Sequence, residues 1–316
     1  MQKVAVIDLG TNTFHLLIAG ITESGDIKIF KRRQIPVKLG ENGFDKNHIP
    51  EKALARAISA IEEISEDLRT VPPDKTLAYA TSAFRTTSNN KDLVGFIEES
   101  LNTKVNIIEG HKEAELIYYG VRWAVNMDEK PCLILDIGGG SVEFIIANNE
   151  EIFLTESIEI GAARLLNKFH RKDPIGRDEI EQLNQFLEEN LTPVLEKISS
   201  YDPKILVGAS GAFETITEIE LRHIAQQKID ELPVFNKITR ESFEKIASKL
   251  IASTRDELFQ IKGMAAFRVN MIVVAVLLIR FLMDRLEFEE IWFSDYAIKE
   301  GILWEAHQAA KHKNSH

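Results

Sequence analysis

Two short apolar runs, VAVID from Val4 to Asp8 and CLILD from Cys132 to Asp136, each close on a carboxylate. Small, flexible residues follow each of them, and then a second apolar run. Runs rich in β-branched residues and bounded by turn formers predict buried strands, so each unit reads as strand, turn, strand. Ile27 to Phe30 and Pro36 to Leu39 predict two further short strands. Pro50 opens a helix whose Leu54, Ile58, Ile61, Ile64 and Leu68 form an apolar face at helical spacing. A strand around Leu77 to Tyr79 runs into ATSAFRTTSN and then into a helix led by Leu93, Phe96 and Ile97. EGHKEAELIYYGVRWAV, from Glu109 to Val125, opens with a turn and continues as a helix with Ala114, Ile117, Tyr118, Val121 and Val125 towards a core. LVGASGAFETI, Leu206 to Ile216, is again strand, glycine turn and helix start. The segment Ile291 to Ala306 predicts a last strand, a cap at Ser294 or Asp295, and a terminal helix. The strongest apolar run, Met271 to Ile279, is far shorter than the roughly 20 residues a membrane span requires and reads as a buried core helix.

The two strand-turn-strand units align without a gap, DLGTNTFHLLIA from Asp8 against DIGGGSVEFIIA from Asp136. Asp8 pairs with Asp136, Gly10 with Gly138, Thr13 with Ser141, Ile18 with Ile146 and Ala19 with Ala147, at a constant offset of 128 residues (136 − 8). A duplicated hairpin predicts two similar domains facing each other across a cleft, with a phosphate chain held between them. The polar, proline-containing VNMDEKP, Val125 to Pro131, marks the junction. The expected domains are therefore 1–125 and 126–316, with a final helix at about 296–311 packing back on the first.

A chain of 316 residues, 44% hydrophobic, is long enough to bury the cores of two domains. Its single cysteine, Cys132, lies in a predicted buried strand and forms no intrachain disulfide, which suits a reducing cytoplasm. Lys3 leads straight into the first strand, so no signal peptide is read and a cytoplasmic location is expected. The net charge of −11 argues against duplex nucleic acid, which demands a broad basic face. It does not exclude a polyanion, because the field at short range is set by local groups, backbone dipoles and bound metal. Lys28, Lys31, Arg32, Arg33 and Lys38, and again His170, Arg171 and Lys172, form basic clusters that would line a groove or simply face solvent.

The hairpin turns carry the candidate chemistry. Gly10, Thr11 and Asn12 in the first, and Gly138, Gly139, Gly140 and Ser141 in the second, permit tight turns whose backbone N–H groups point at an anion. Asp8 and Asp136 at the strand ends suit a divalent cation held against the bound phosphates. This is not the strand-loop-helix of Walker A, and G-x-x-x-x-G-K-[ST] is absent. Arg85, near a strand end, is placed either for a bidentate phosphate contact or for a surface ion pair. Glu113, in the first turn of its helix, would by itself be no more than a partner for the helix dipole. Gly208 and Gly211 suit either a phosphate or nucleoside contact or tight packing of the turn. His15, which aligns with Glu143, heads a buried strand and reads as structural.

Taken with ATSAFR, GHKEAELIYYGV, VGASGAFETI and the closing SDYAIKEGIL, in that order over nearly the whole length, the chain resembles the exopolyphosphatase and guanosine pentaphosphate phosphohydrolase family. That family lies within the actin-like, sugar-kinase and heat-shock ATPase superfamily. The resemblance implies an α/β fold of two ribonuclease-H-like domains with an interdomain active-site cleft. It implies Glu113, in a G-x-x-E-A-x-L position, as the catalytic carboxylate. Asp136 and Glu143 match magnesium-linked acids, with Asp8 nearby; Arg85, Gly138, Gly139 and Ser141 match phosphate contacts. The implied cofactor is Mg²⁺ or Mn²⁺, and the implied reaction is hydrolysis of the terminal phosphoanhydride of inorganic polyphosphate, releasing orthophosphate. Hydrolysis of guanosine pentaphosphate, a sugar or acetate kinase, and a non-catalytic polyphosphate or alarmone sensor are the alternatives; neither nucleic acid nor membrane is expected as a partner, and a homodimer is left open. Two departures stand out: Ala212 where relatives often have Thr, and a chain that stops soon after SDYAIKEGIL, like the short form of the family. The short form implies a shorter groove and a preference for short or intermediate polyphosphate chains.

Overall fold

Every residue of β1, Val4–Leu9, is buried, which is what an apolar run at the centre of a sheet requires. It pairs antiparallel with β2, Thr13–Ile21, and β2 in turn with β3, Ile27–Pro36. β3 carries the first predicted strand on to Pro36, whereas the second, Pro36 to Leu39, leaves the sheet: Val37, Lys38 and Leu39 donate their N–H groups to the Asn12 and Thr11 carbonyls. Arg32, Arg33 and Gln34 keep register with Leu17, Leu16 and His15, and an edge strand tolerates such polar residues because one side faces water. The helix α1, Glu51–Thr70, buries Ala53, Ala57, Ala60, Ile61 and Ile64, while Ile58 is 37% exposed. Leu54 and Leu68, partly buried, also pack against this core, so the predicted stripe is covered apart from Ile58 and is widened by the alanines. After α1 come β4 (Lys75–Ala80, parallel to β1), the one-turn α2 (Ser82–Thr86), α3 (Asn90–Leu101), β5 (Val105–Ile107) and α4 (Gly110–Ala124). The sheet order is β3-β2-β1-β4-β5.

A second sheet is built from β6 (Cys132–Ile137), β7 (Val142–Ala147), β8 (Ile152–Ile158) and β9 (Ile205–Gly208), with α5 (Ala162–Phe169) and α6 (Arg177–Ser199) between the last two. The chain goes on through α7 (Gly211–Ile219), β10 (Phe235–Ile238), α8 (Arg240–Ala252), α9 (Arg255–Phe259), α10 (Val269–Met283) and β11 (Glu290–Ser294) to α11 (Ile298–Asn314). Strand order is β10-β11-β9-β6-β7-β8. The predicted core helix is α10, in which all but Asn270, Met271 and Arg280 are buried. No described helix is long and apolar enough to cross a membrane. The terminal helix starts at Ile298, beyond the predicted caps; Ser294 ends β11 and its hydroxyl donates to the Tyr296 carbonyl instead.

In this computed structural model, which describes residues 1–41, 47–209 and 211–314, the chain divides into two units: Met1–Gly120 with Ile298–His316, and Val121–Ala297. The boundary falls inside α4, and α11 belongs to the first unit, where it packs on β1 and β2. There α11 crosses α4 at Gly301, where a Cβ would lie 1.7 Å from the Leu116 carbonyl oxygen.

The duplication is present in the ladders. β1 and β2 pair from Val4↔Ala19 to Leu9↔Phe14, and β6 and β7 pair from Cys132↔Ala147 to Ile137↔Val142, the same pairs displaced by 128 residues. Even the irregularity in the next ladder recurs, at Ile18/Ala19 and at Ile146/Ala147. In each unit the first strand of the hairpin also pairs in parallel with a later strand, β4 or β9.

Several members of the basic clusters are held in ion pairs. Lys31 and Arg33 both pair with the buried Asp67, Arg33 also with Glu63, and Arg32 reaches Glu300. Lys172 pairs with Asp178, and His170 is buried. Cys132 is buried in β6, and burial pushes its thiol up to about 12, which makes it inert at neutral pH.

Candidate active site

In the first unit the turn between β1 and β2 is closed too tightly for a side chain at its first position: a Cβ on Gly10 would meet the Thr13 carbonyl oxygen at 2.8 Å. The chain returning from β3 takes up the turn's carbonyls. Val37 and Lys38 donate their N–H groups to Asn12, and Leu39 donates to Thr11. The buried Thr11 hydroxyl accepts the N–H of Ala83 at 3.2 Å, which ties the turn to the helix that carries Arg85.

Arg85 is neither on a strand end nor on the surface. It sits on α2, and its Nη1 donates to the Glu113 carboxylate at 2.7 Å and to the Ile108 carbonyl at 2.8 Å. The two side chains are only 10% and 11% exposed, so this is a buried ion pair. Glu113 stands in the first turn of α4, where its carboxylate is also favoured by the helix dipole. Asp8 is buried as well, and burial is the main reason its pKa rises to about 6. Lys299 acts in the opposite sense, and the buried Glu300 adds to the rise.

In the second unit Asp136 and Glu143 are cross-strand partners, and Glu143 is 1% exposed. The hydroxyl of Ser157, opposite Glu143 on β8, donates to its Oε1 at 2.8 Å. The turn Gly138–Gly140 is braced by the start of α5: Gly161, Ala162 and Ala163 donate backbone N–H groups to the carbonyls of Gly140, Gly138 and Gly139 at 2.9–3.0 Å. Nε of Arg164 also donates to the Gly140 carbonyl. Gly161 admits no side chain, since a Cβ there would stand 2.5 Å from backbone atoms of Gly139 and Gly140. With its carbonyls drawn back onto α5, the turn presents its amide side, the arrangement that receives an anion. Ser141 is buried beside it.

The donor set of this hairpin fits a hard divalent cation. Two carboxylates directly opposite each other in a ladder repel, and one of them is almost wholly out of water, so a cation between them offsets a cost the fold otherwise bears. Among the described residues no group of three or more His, Cys, Asp or Glu side chains is placed to hold a metal ion alone.

Gly208 and Gly211 both stand close to side chains. A Cβ on Gly208 would lie 2.0 Å from the Phe213 ring, and one on Gly211 would lie 2.9 Å from the Arg268 guanidinium. Arg268, itself buried, pairs with Glu214 and donates to Thr215 at the start of α7. Ser210 of this turn lies outside the described residues. The sequence pattern missed Ser157, Gly161, Arg164 and Glu300. For Gly161 a signal was present, a glycine at a helix start just after a strand; nothing local marks Ser157 as a partner of Glu143.

Two α/β units with the same 3-2-1-4 core order, each opening on the same hairpin, define the two-domain actin-like fold. Within it the chain belongs to the Ppx/GppA phosphatase family, which residues 17–310 match. The crystal structure of an exopolyphosphatase from Cytophaga hutchinsonii is 36% identical, with a TM-score of 0.93 over 98% of both chains. A Ppx/GppA family member from Aquifex aeolicus, 21% identical with a TM-score of 0.80 over 98% of both chains, shares the fold.

Proposed function

We propose that this protein hydrolyses the terminal phosphoanhydride of inorganic polyphosphate and releases orthophosphate. The observation that carries the reading is the Arg85–Glu113 pair: a buried carboxylate at a helix start, held in one orientation by a guanidinium. The 36% identity to an exopolyphosphatase supports polyphosphate as the substrate.

In this mechanism the amides of Gly138–Gly140 and the hydroxyl of Ser141 bind phosphate oxygens, and α5 keeps the turn from relaxing as charge moves. The Gly10–Asn12 turn plays the same part in the first unit. Asp136 and Glu143 would hold Mg²⁺, with Asp8 as a further acid for it; when bound, the ion neutralises charge on the chain oxygens. Glu113 orients the attacking water and accepts its proton, a contribution of about 10²–10⁴-fold. Arg85 keeps Glu113 in place and lends positive charge to the oxygens of the transferred group, whose transition state is loose and metaphosphate-like. Catalysis then consists of positioning and charge neutralisation, with no covalent intermediate on the protein.

The test is phosphate release measured side by side on polyphosphate of defined lengths, guanosine pentaphosphate and ATP, with Mg²⁺ present. Preference for polyphosphate supports the reading. Preference for guanosine pentaphosphate moves the same chemistry to a nucleotide substrate, and tight binding without release from any of the three identifies a sensor.

A further inference from the structure

Three polar residues stand at one level across three adjacent strands of the second sheet. Asp136 of β6 is opposite Glu143 of β7, and Glu143 is opposite Ser157 of β8. Their neighbours along the hairpin, Leu135, Ile137, Val142 and Phe144, are all buried and apolar. The corresponding row in the first sheet is Asp8, His15 and Gln34. A second acid and a hydroxyl donor therefore occur together, and only in the second copy.

We infer that Ser157 is a positioning residue for the metal-linked acid Glu143, through the hydrogen bond its hydroxyl donates to Oε1. The inference rests on the metal role given to Glu143 above. The terminal torsion of a glutamate is broad, so an unheld carboxylate samples many orientations. A hydroxyl fixed on the neighbouring strand at 2.8 Å from one oxygen restricts that torsion and sets the direction of the other oxygen. Partners that orient a ligand in this way are typically worth about 10–100-fold in metal affinity.

Ser157→Thr and Ser157→Val provide the test, because the two replacements share a shape and differ in the hydroxyl. β8 is half-buried along its length and, as a strand, accepts β-branched residues. Three quantities are measured: Mn²⁺ binding to the substrate-free protein by electron paramagnetic resonance, the Mg²⁺ dependence of phosphate release, and the melting temperature in chelator. We expect Val to weaken Mn²⁺ binding by about 10–100-fold and to raise the Mg²⁺ requirement in parallel, with kcat recovered at saturating metal. Thr should stay close to the parent protein, and the two variants should melt alike without metal. Equal Mn²⁺ affinity in the Val and Thr variants overturns the inference. Glu143→Gln separates the two levels of the argument. If it weakens Mn²⁺ binding while Val does not, only the role of Ser157 fails; if it leaves binding intact, the metal assignment fails and the inference falls with it.

Discussion

The β1–β2 and β6–β7 hairpins share a backbone and differ in their charges. Both have the same register, the same irregularity one ladder away and a glycine first in the turn, where a Cβ would press on the carbonyl oxygen three residues on, at 2.8 Å for Gly10 and Thr13 and 3.1 Å for Gly138 and Ser141. In both copies the carbonyls of the aligned pairs Thr11/Gly139 and Asn12/Gly140 are taken by backbone N–H groups. The donors differ: an irregular return from β3 serves the first turn, and the start of α5 serves the second. Opposite its aspartate the first hairpin places His15, and the second places Glu143. A duplicated scaffold has kept the geometry that cradles an anion, while the opposing pair has diverged so that only the second copy brings two carboxylates together. The hairpin scaffold and the paired carboxylates are thus separable properties of one motif.

The largest effect expected lies outside both hairpins. Glu113→Gln keeps the shape and removes the basic site, so kcat should fall by roughly 10²-fold or more while polyphosphate binding and the Mg²⁺ requirement are unchanged. A near-parental kcat would remove Glu113 from the chemistry. A raised Mg²⁺ requirement would instead tie it to the metal and blur the division drawn above.

Next is Asp8, whose ionisation works against the fold. Its pKa is raised by burial from 3.8 to about 6, so between these values the native state binds more protons than the unfolded chain, and stability falls as pH rises through that window. Above pH 6 the whole cost is present. Asp8→Asn should therefore stabilise the metal-free protein by about 3 kcal/mol at pH 8 and by almost nothing at pH 4, as read by urea denaturation at the two pH values. Equal stabilisation at both would show that the gain is not the relief of a buried charge.

Asp136→Asn should raise the Mg²⁺ concentration for half-maximal phosphate release by at least about tenfold. Asp8→Asn, whose cross-strand partner is a histidine, should raise it less. An equal rise in both would mean that the two hairpins share the metal role despite their different partners. The smallest effect concerns the tether of the first turn. Thr11→Val leaves the buried Ala83 N–H without its acceptor and should cost about 1 kcal/mol of stability by denaturant unfolding. The aligned residue in the second turn is Gly139, which has no side chain to make such a tether.

The sequence by itself determined the elements whose causes are local. Strand runs, glycine turns and the 128-residue offset are properties of consecutive residues, and the offset aligned Asp136 with Asp8 and Glu143 with His15, while the pairing of Asp136 with Glu143 came from the ladder. The sequence also located Glu113 in a first helical turn. What it left open depended on neighbours remote in the chain. Of the two roles read for Arg85, an ion pair is present, but buried instead of at the surface, because its partner Glu113 comes from 28 positions away. On α1 periodicity found most of the packed face, but the sheet beneath decided its breadth, burying Ala53, Ala57 and Ala60 and leaving Ile58 exposed. Ser157, Gly161 and Glu300 each acquire meaning only from a backbone or carboxylate brought near by folding. Periodicity reports which residues are buried, whereas the partner of a buried polar group is chosen by the packing of segments that share no local pattern, and only the tertiary structure makes that choice.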